Sequence, residues 1–183
     1  MNCQQLFFLR HLPTQNNSHA CINGRSADSP ILEMRSIAGA RDVDVVYCSP
    51  ALRCRQTLEC FIQANSVQTV YESNLLLERS MGLLEGQKRD AMAALYPDLF
   101  DRNKFRVFST PPGGESFEGF MQRVRCFYTE HLAVASGDVL VCSHNQFLKA
   151  LYFLVSNEPI SEKRWKALNF PLGKMVPIRI FRN

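Results

Sequence analysis

The chain has 183 residues, 21 basic and 17 acidic, for a formal net charge of +4, with 46% apolar and 21% charged types. These figures fit one globular domain over residues 1–183, which at this length buries roughly 70% of its unfolded surface without disulfide or metal staples. They exclude a disordered tail, a collagen-like chain and a disulfide scaffold. No apolar run approaches the ~20 residues that span a bilayer. The positive excess is too mild and scattered to indicate nucleic acid, yet it is compatible with a small anionic substrate.

The seven cysteines, at 3, 21, 48, 54, 60, 126 and 142, are odd in number and none is spaced C-x-x-C. They read as buried or indifferent thiols of a reducing compartment rather than a zinc or redox site. Met1 to Gln5 lacks the basic region and long apolar run of a secretory signal. The expectation is a soluble, cytoplasmic protein with no membrane or nucleic-acid partner.

Taken in chain order, residues 5–9 form a short continuous apolar run, the pattern of a strand covered on both faces. Ser29-Pro30 and Ser49-Pro50 are helix-start signals, with Ser as cap and Pro at the first helical position. Residues 43–48 read as a second buried strand. Cys54, Leu58, Phe61 and Ile62 then keep helical spacing, and 67–71 is a shorter β-rich piece. Residues 101–114 mix charges and end in Pro111-Pro112-Gly113-Gly114, a surface loop. The clearest helix runs from about Ser116 to Val134, with Phe117, Phe120, Met121, Val124, Phe127 and Leu132 on one stripe, closed by Ala135-Ser136-Gly137. Residues 138–142 form a third buried strand, and a helix follows His144 with Phe147, Leu148, Leu151 and Leu154 at core spacing. Residues 175–181 complete the set, with Pro177 placing that strand at an edge. Strand and helix alternate, so the fold class is α/β: a three-layer α/β/α sandwich with a mainly parallel central sheet.

Ligands of open α/β sheets bind beyond the carboxyl ends of the strands. Arg10 and His11 stand there after the first strand, Ser49 and Arg53 after the second, Ser143 and His144 after the 138–142 strand. Any one of these is unremarkable alone; a solvated arginine or a structural histidine is the ordinary reading. Two arginines and two histidines at equivalent places form a phosphate site. Guanidinium groups bind phosphoryl oxygens bidentately, and helix N-termini add oriented N–H groups. An imidazole among guanidinium groups stays neutral and therefore nucleophilic. A proton donor for the leaving oxygen is still needed, and Glu78 and Glu85, in a stretch with Gly82 and Gly86, supply two carboxyl candidates. Glu115, before the long helix, could contact substrate or brace its loop.

At these residues the sequence resembles the histidine phosphatase superfamily, which includes the cofactor-dependent phosphoglycerate mutases. Five blocks carry the resemblance: Arg10-His11-Leu12-Pro13-Thr14 with Asn17, Ser49-Pro50-Ala51-Leu52-Arg53 with Gln56-Thr57, Leu76 to Gly86, Gly114-Glu115-Ser116, and Ser143-His144-Asn145. The resemblance implies a phosphoglycerate mutase-like fold, with His11 as the nucleophile that becomes phosphohistidine. It implies a phosphate pocket of Arg10, Arg53 and His144 assisted by Asn17, and Glu78 as the proton donor, with Glu85 as the fallback acid. It implies no cofactor and no metal, because the arginines neutralise the charge that a metal would offset. Leu12 and Asn145 replace two family glycines. Leu12 is expected to narrow or reshape the pocket mouth, and Asn145 to be the milder change, since Asn tolerates positive φ.

A cysteine-dependent phosphatase needs Cys-x5-Arg, and no cysteine here has Arg six residues later. A Rossmann nucleotide site is unsupported, since no G-x-G-x-x-G follows the first strand. Family mutases carry long insertions that shield the phosphoenzyme from water, whereas only 28 residues separate Gly86 from Glu115. The sequence therefore reads as a phosphatase of the small branch, acting on a small-molecule phosphate ester, ahead of a mutase. A silent phospholigand-binding module would not need His11, Glu78 and His144. Phe100, Phe105 and Phe108 suit a satellite core cluster, with an apolar lid over the site as the alternative.

Overall fold

The computed structural model describes residues 2–26, 28–37 and 42–179. The main elements are β1 (Asn2–Arg10), α1 (Gln15–Ser18), β2 (Val43–Cys48), α2 (Leu52–Ile62), β3 (Val67–Glu72), α3 (Arg89–Leu95), β4 (Phe100–Asp101), β5 (Lys104–Phe105), α4 (Phe117–Phe127), β6 (Ser136–Ser143), α5 (Asn145–Val155), α6 (Glu162–Ala167) and β7 (Met175–Ile178). Five strands form one sheet in the order β3-β2-β6-β1-β7. All neighbours are parallel except β7, which runs antiparallel along β1. Pro177 is in β7, an edge strand, where its missing donor costs least. Residues 180 and 181 of the expected last strand lie outside the described residues.

The period of two along each strand sorts side chains onto two faces. Leu6, Phe8, Tyr47, Val139 and Val141 pack with Phe120, Val124 and Phe127 of α4, Phe147 and Leu151 of α5, and Trp165 of α6. Phe7, Leu9, Val46, Cys48, Leu140 and Cys142 pack on the other side with Cys54, Leu58 and Phe61 of α2, and with Ile31 and Ile37. Helices thus cover both faces, which is why the strands read as continuous apolar runs.

The register places the site. Arg10 is level with Ser143, and Cys48 with Cys142. β6 lies between β1 and β2, so three strands end side by side. His11 N donates to Ser143 O (3.1 Å) and Ser49 N to Cys142 O (3.0 Å), closing the corner.

Several expected elements differ. No helix follows Ser29-Pro30: Leu32 N donates to Pro13 O and Ile31 N to Gln56 Oε1, so these donors are taken across the chain rather than along a turn. α2 does begin near Ser49-Pro50, but Ala51 occupies the cap position and Ser49 Oγ bonds His144 instead. Asp28 supplies the missing cap, its Oδ2 accepting from Leu52 N (2.6 Å). Ile62, assigned to the apolar stripe, is 45% exposed. Ser116 does cap α4, accepting from Gly119 N. That helix stops at Phe127 and widens into a π-type turn over Tyr128–Leu132, which keeps Leu132 in the core. Residues 101–114 are not simply a surface loop: they include strands of a short hairpin with Phe100, and Val107 is buried. Phe100 and Phe105 pack edge to face in a satellite cluster with Ile22, Met81 and Leu84. Phe108 is half exposed against Phe117.

The loop carrying Glu78 is held by backbone contact. Gly82 has φ +54°, and a Cβ there would sit 2.1 Å from Pro112 O. Gly113 has φ +66° but open space around a Cβ, with nothing nearer than 4.0 Å. Gly113→Ala should therefore cost only the left-handed dihedral, about 1–2 kcal/mol, while Gly82→Ala adds a backbone clash and should cost clearly more. Urea unfolding of both variants measures the difference; equal costs would mean the two loops are not packed as described.

Candidate active site

A cavity of about 410 Å³ opens at the carboxyl ends of the strands, within the usual range of roughly 300–1,000 Å³ for small-molecule sites. Arg10, His11, Asn17 and Glu78 are among the residues that line it.

His11 follows β1 directly and is 2% exposed. Its Nδ1–H donates to Leu12 O (2.7 Å), which fixes the tautomer and leaves Nε2 with its lone pair. Leu12 O is itself positioned through its own peptide, since Leu12 N donates to the buried Thr57 Oγ1 (2.8 Å). Burial, with Arg53 and Arg10 adding repulsion, lowers His11 to about 3, so the ring is neutral near physiological pH.

Arg10 Nη1 donates to Phe170 O (3.1 Å) and lies 3.5 Å from Asn169 Oδ1. Its buried Nε has no partner among the described residues. An unsatisfied buried donor on a cation costs free energy that an anion would recover. Asn17 spends its carbonyl oxygen on Thr14 N and Oγ1 in a capping box around α1, so the donor half of its amide remains for a ligand.

His144 is the N-cap residue of α5 and is fully buried. Arg53 Nε donates to its Nδ1 (3.2 Å); a guanidinium can only donate, so the proton is on Nε2, which shares it with Ser49 Oγ (2.9 Å). Burial first, then Arg53 and His11, push the ring well below its ordinary value. The two imidazole centroids are 5.5 Å apart.

Arg53, expected among the phosphate ligands, does not line the cavity. Its Nη1 pairs with Asp28 Oδ1 (2.8 Å) and its Nη2 donates to Gly24 O (2.8 Å). It lies one layer below, orienting His144 and supplying charge beneath the floor. His144 too is behind the cavity wall rather than on it.

Glu78 is 6% exposed, and its carboxyl accepts from Arg79 N (3.0 Å), Phe147 N and Gln146 N (both 3.2 Å). The N-terminus of α5 thus holds it at the cavity wall. The other two glutamates are braces. Glu85 accepts from Arg25 N, Ser26 N and Oγ, Ser80 Oγ and Met81 N, and these bonds lower it to about 2 against the opposing effect of burial. Glu115 accepts from Arg25 and Arg123 and from Ser80 N. Neither lines the cavity.

The two glycine replacements have roles the sequence did not suggest. Leu12 points away from the mouth: it is buried among Phe7, Leu9 and Ile31, and a Cβ on Gly173 would meet its Cδ2 at 2.4 Å. Asn145 does not use positive φ. Its Oδ1 accepts from Phe170 N (3.3 Å), tying residues 169–172 over the site.

Sequence reasoning missed Asp28, Asn23, Arg89, Lys149 and Trp165. Lys149 alone left a signal, a lysine inside the apolar run from Phe147 to Leu151.

A parallel sheet whose carboxyl ends gather guanidinium and imidazole groups beside one cavity defines an α/β fold of the phosphoglycerate mutase-like kind. The chain belongs to the histidine phosphatase superfamily (branch 1), whose sequence pattern matches residues 6–175. A Schizosaccharomyces pombe protein named "probable phosphatase" is 23% identical over 162 residues, 80% of this chain and 71% of its own. The 2,3-bisphosphoglycerate-dependent phosphoglycerate mutase of Chlamydia pneumoniae is 25% identical over 156 residues, covering 83% and 68%. Among solved structures, the α-ribazole phosphatase of Shigella flexneri superposes with a TM-score of 0.72 at 19% identity, covering 98% of this chain and 92% of that one. A mycobacterial hydrolase gives 0.77 at 20% identity, covering 94% and 90%.

The lowered His11 value has a consequence for stability. Between about 3 and the unfolded value near 6.5, the unfolded chain binds a proton that the folded chain refuses, so stability rises with pH across that window and is lost as pH falls through it. His144 acts in the same direction. Urea unfolding between about pH 4 and 7 should give a shallower slope for His11→Gln than for the parent; an unchanged slope contradicts the neutral, buried ring.

Proposed function

We propose that the protein is a metal-independent phosphomonoesterase that works through a phosphohistidine at His11 on a small phosphorylated metabolite. The observation that carries this reading is the fixed His11 tautomer, its Nε2 lone pair at a cavity where Arg10 Nε has no partner.

In the first step His11 Nε2 attacks phosphorus and the P–O bond to the leaving group breaks. Arg10 and the amide of Asn17 donate to the phosphoryl oxygens, and Arg53 adds charge from below the floor. His144, behind the wall with its ring held between Ser49 and Arg53, keeps the Arg53 charge oriented beneath the phosphoryl group. The Glu78 carboxyl group gives its proton to the leaving alkoxide. In the second step water attacks phosphorus, Glu78 takes a proton from it, the P–N bond breaks, and phosphate leaves with His11 neutral again. The guanidinium charges take the place that a metal would hold. Hydrolysis is favoured over transfer to a second acceptor because the 28 residues between Gly86 and Glu115 form only α3, the β4–β5 hairpin and short connections.

Acid quench during turnover of a labelled phosphate ester should leave label on His11, and His11→Ala should lose at least about a thousandfold in kcat, as removal of a covalent nucleophile does. Near-parent activity in that variant sinks the reading. Glu78→Gln should slow alkyl phosphates far more than p-nitrophenyl phosphate, whose leaving group needs no proton. Equal losses on both would move the acid role to another residue. From 3-phosphoglycerate the expected product is inorganic phosphate; efficient formation of the 2-isomer would make the protein a mutase.

A further inference from the structure

Lys149 is a buried amine for which the phosphoryl-transfer steps have no use. It is carried by α5, is 8% exposed, and lines the same cavity as Arg10 and His11. Its Nζ donates to Trp165 O (2.9 Å) and lies 5.7 Å from the centre of the Trp165 ring. Among the described residues it has no ion pair. The other two lysines of the cavity differ from it. Lys166 pairs with Asp101 (2.7 Å) and Glu162 (3.4 Å), and Lys104 is exposed.

The surroundings of this amine disfavour its charged form. Burial and then Arg10 lower it to about 8; Glu78 opposes them and Lys104 adds to them. Arg89 of α3 and Lys166 of α6 also face the cavity, and Glu78 is the one carboxylate in its lining among the described residues. An ammonium can only donate. A neutral amine still has an N–H for Trp165 O and gains a lone pair. A lysine desolvated next to another cation is a nucleophile toward carbonyl carbon.

We propose that Lys149 is a covalent capture site for small phosphorylated aldehydes: the phosphate seats on Arg10, and Lys149 Nζ takes the carbonyl carbon as an imine that blocks the cavity. The seat of the phosphate rests on the phosphomonoesterase reading. The Nζ lone pair attacks the carbonyl carbon, and one N–H proton moves to the oxygen to give a carbinolamine. The C–O bond then breaks, and the second N–H proton leaves with the hydroxide as water. One aldehyde and one amine become one imine and one water, with no oxidant or reductant. Trp165 and Phe105 line the same cavity and offer flat apolar surface to the arm between phosphate and carbonyl, which suits an aromatic aldehyde.

Pyridoxal 5'-phosphate is the probe, and pyridoxal is the control that lacks the phosphate. Each is added near pH 8 and the imine is fixed with borohydride, which reduces C=N to a stable amine. Peptide masses then locate the modified lysine. The phosphate probe should label Lys149 ahead of every other lysine, and about tenfold faster than pyridoxal does, because the anchored phosphate holds the aldehyde in place. Inorganic phosphate in excess should slow that labelling. Label on Lys104 or Lys166 ahead of Lys149, or equal rates for the two aldehydes, overturns the proposal. After fixing and removal of free probe, the parent should have lost its turnover of p-nitrophenyl phosphate, while Lys149→Arg, which keeps a cation but forms no imine, should retain its own. Equal loss in both would place the blocking adduct elsewhere and overturn the capture site. No turnover by the untreated parent sinks the hydrolytic reading instead, and the position and rates of labelling still decide this one.

Discussion

Positive charge gathered beyond the carboxyl ends of β1, β6 and β2 is the constraint to which the rest of the site answers. Arg10 and the fully buried Arg53 stand within Coulomb range of two buried imidazoles. Burial first, and then these charges, which water cannot screen there, make the rings lose their protons. Neutral rings then need defined hydrogen bonds, and each has one that settles its tautomer: Nδ1–H to Leu12 O for His11, and Nδ1 accepting from Arg53 for His144. The free lone pair of His11 Nε2 is thus a consequence of burial and charge first and of hydrogen bonding second.

The carboxylates around this charge are divided by what they touch. Asp28 caps α2 and pairs with Arg53 in one stroke. Glu85 gathers backbone donors from residues 25, 26 and 81, joining two loops that share no strand. Glu115 joins Arg25, Arg123 and Ser80, while Arg123 also donates to Leu75 O and Leu77 O (both 2.7 Å). Arg79, fully buried, reaches the other way to Val107 O, Ser109 O and Glu115 O. These bonds fix the loop on which Glu78 rides. Glu78 then faces the cavity without having to brace that loop. The bonds that lower Glu85 to about 2 make it a carboxylate brace between the loops.

The sheet, its parallel core, the edge strand with Pro177 and the helix after His144 were legible because burial on both faces writes continuous apolar runs. So was the gathering of Arg10, His11, Arg53 and His144, because topology alone sends strand ends to one edge. Depth was not legible. Residue type does not reveal that Asp28 and Gly24 already hold Arg53, since both come from a stretch with no periodic pattern. The Ser29-Pro30 signal failed for a related reason: its local cap chemistry was sound, but donors at 31 and 32 found partners across the chain. Nor does residue type show that Leu12, in place of a family glycine, turns toward Gly173 and the core.

Helix α5 ties several walls of the cavity to one element. His144 caps it, the N–H groups of Gln146 and Phe147 hold Glu78, and Asn145 ties down Phe170. Asn145 and Lys149, four residues apart, share one face and both line the cavity. Phe147, Leu148 and Leu151 turn the opposite side into the core under α4. A rotation or shift of this one helix would move the anchor of Glu78, the second imidazole and the Lys149 ammonium together. The apolar stripe that made α5 easy to find in the sequence is the same feature that holds the chemistry in register.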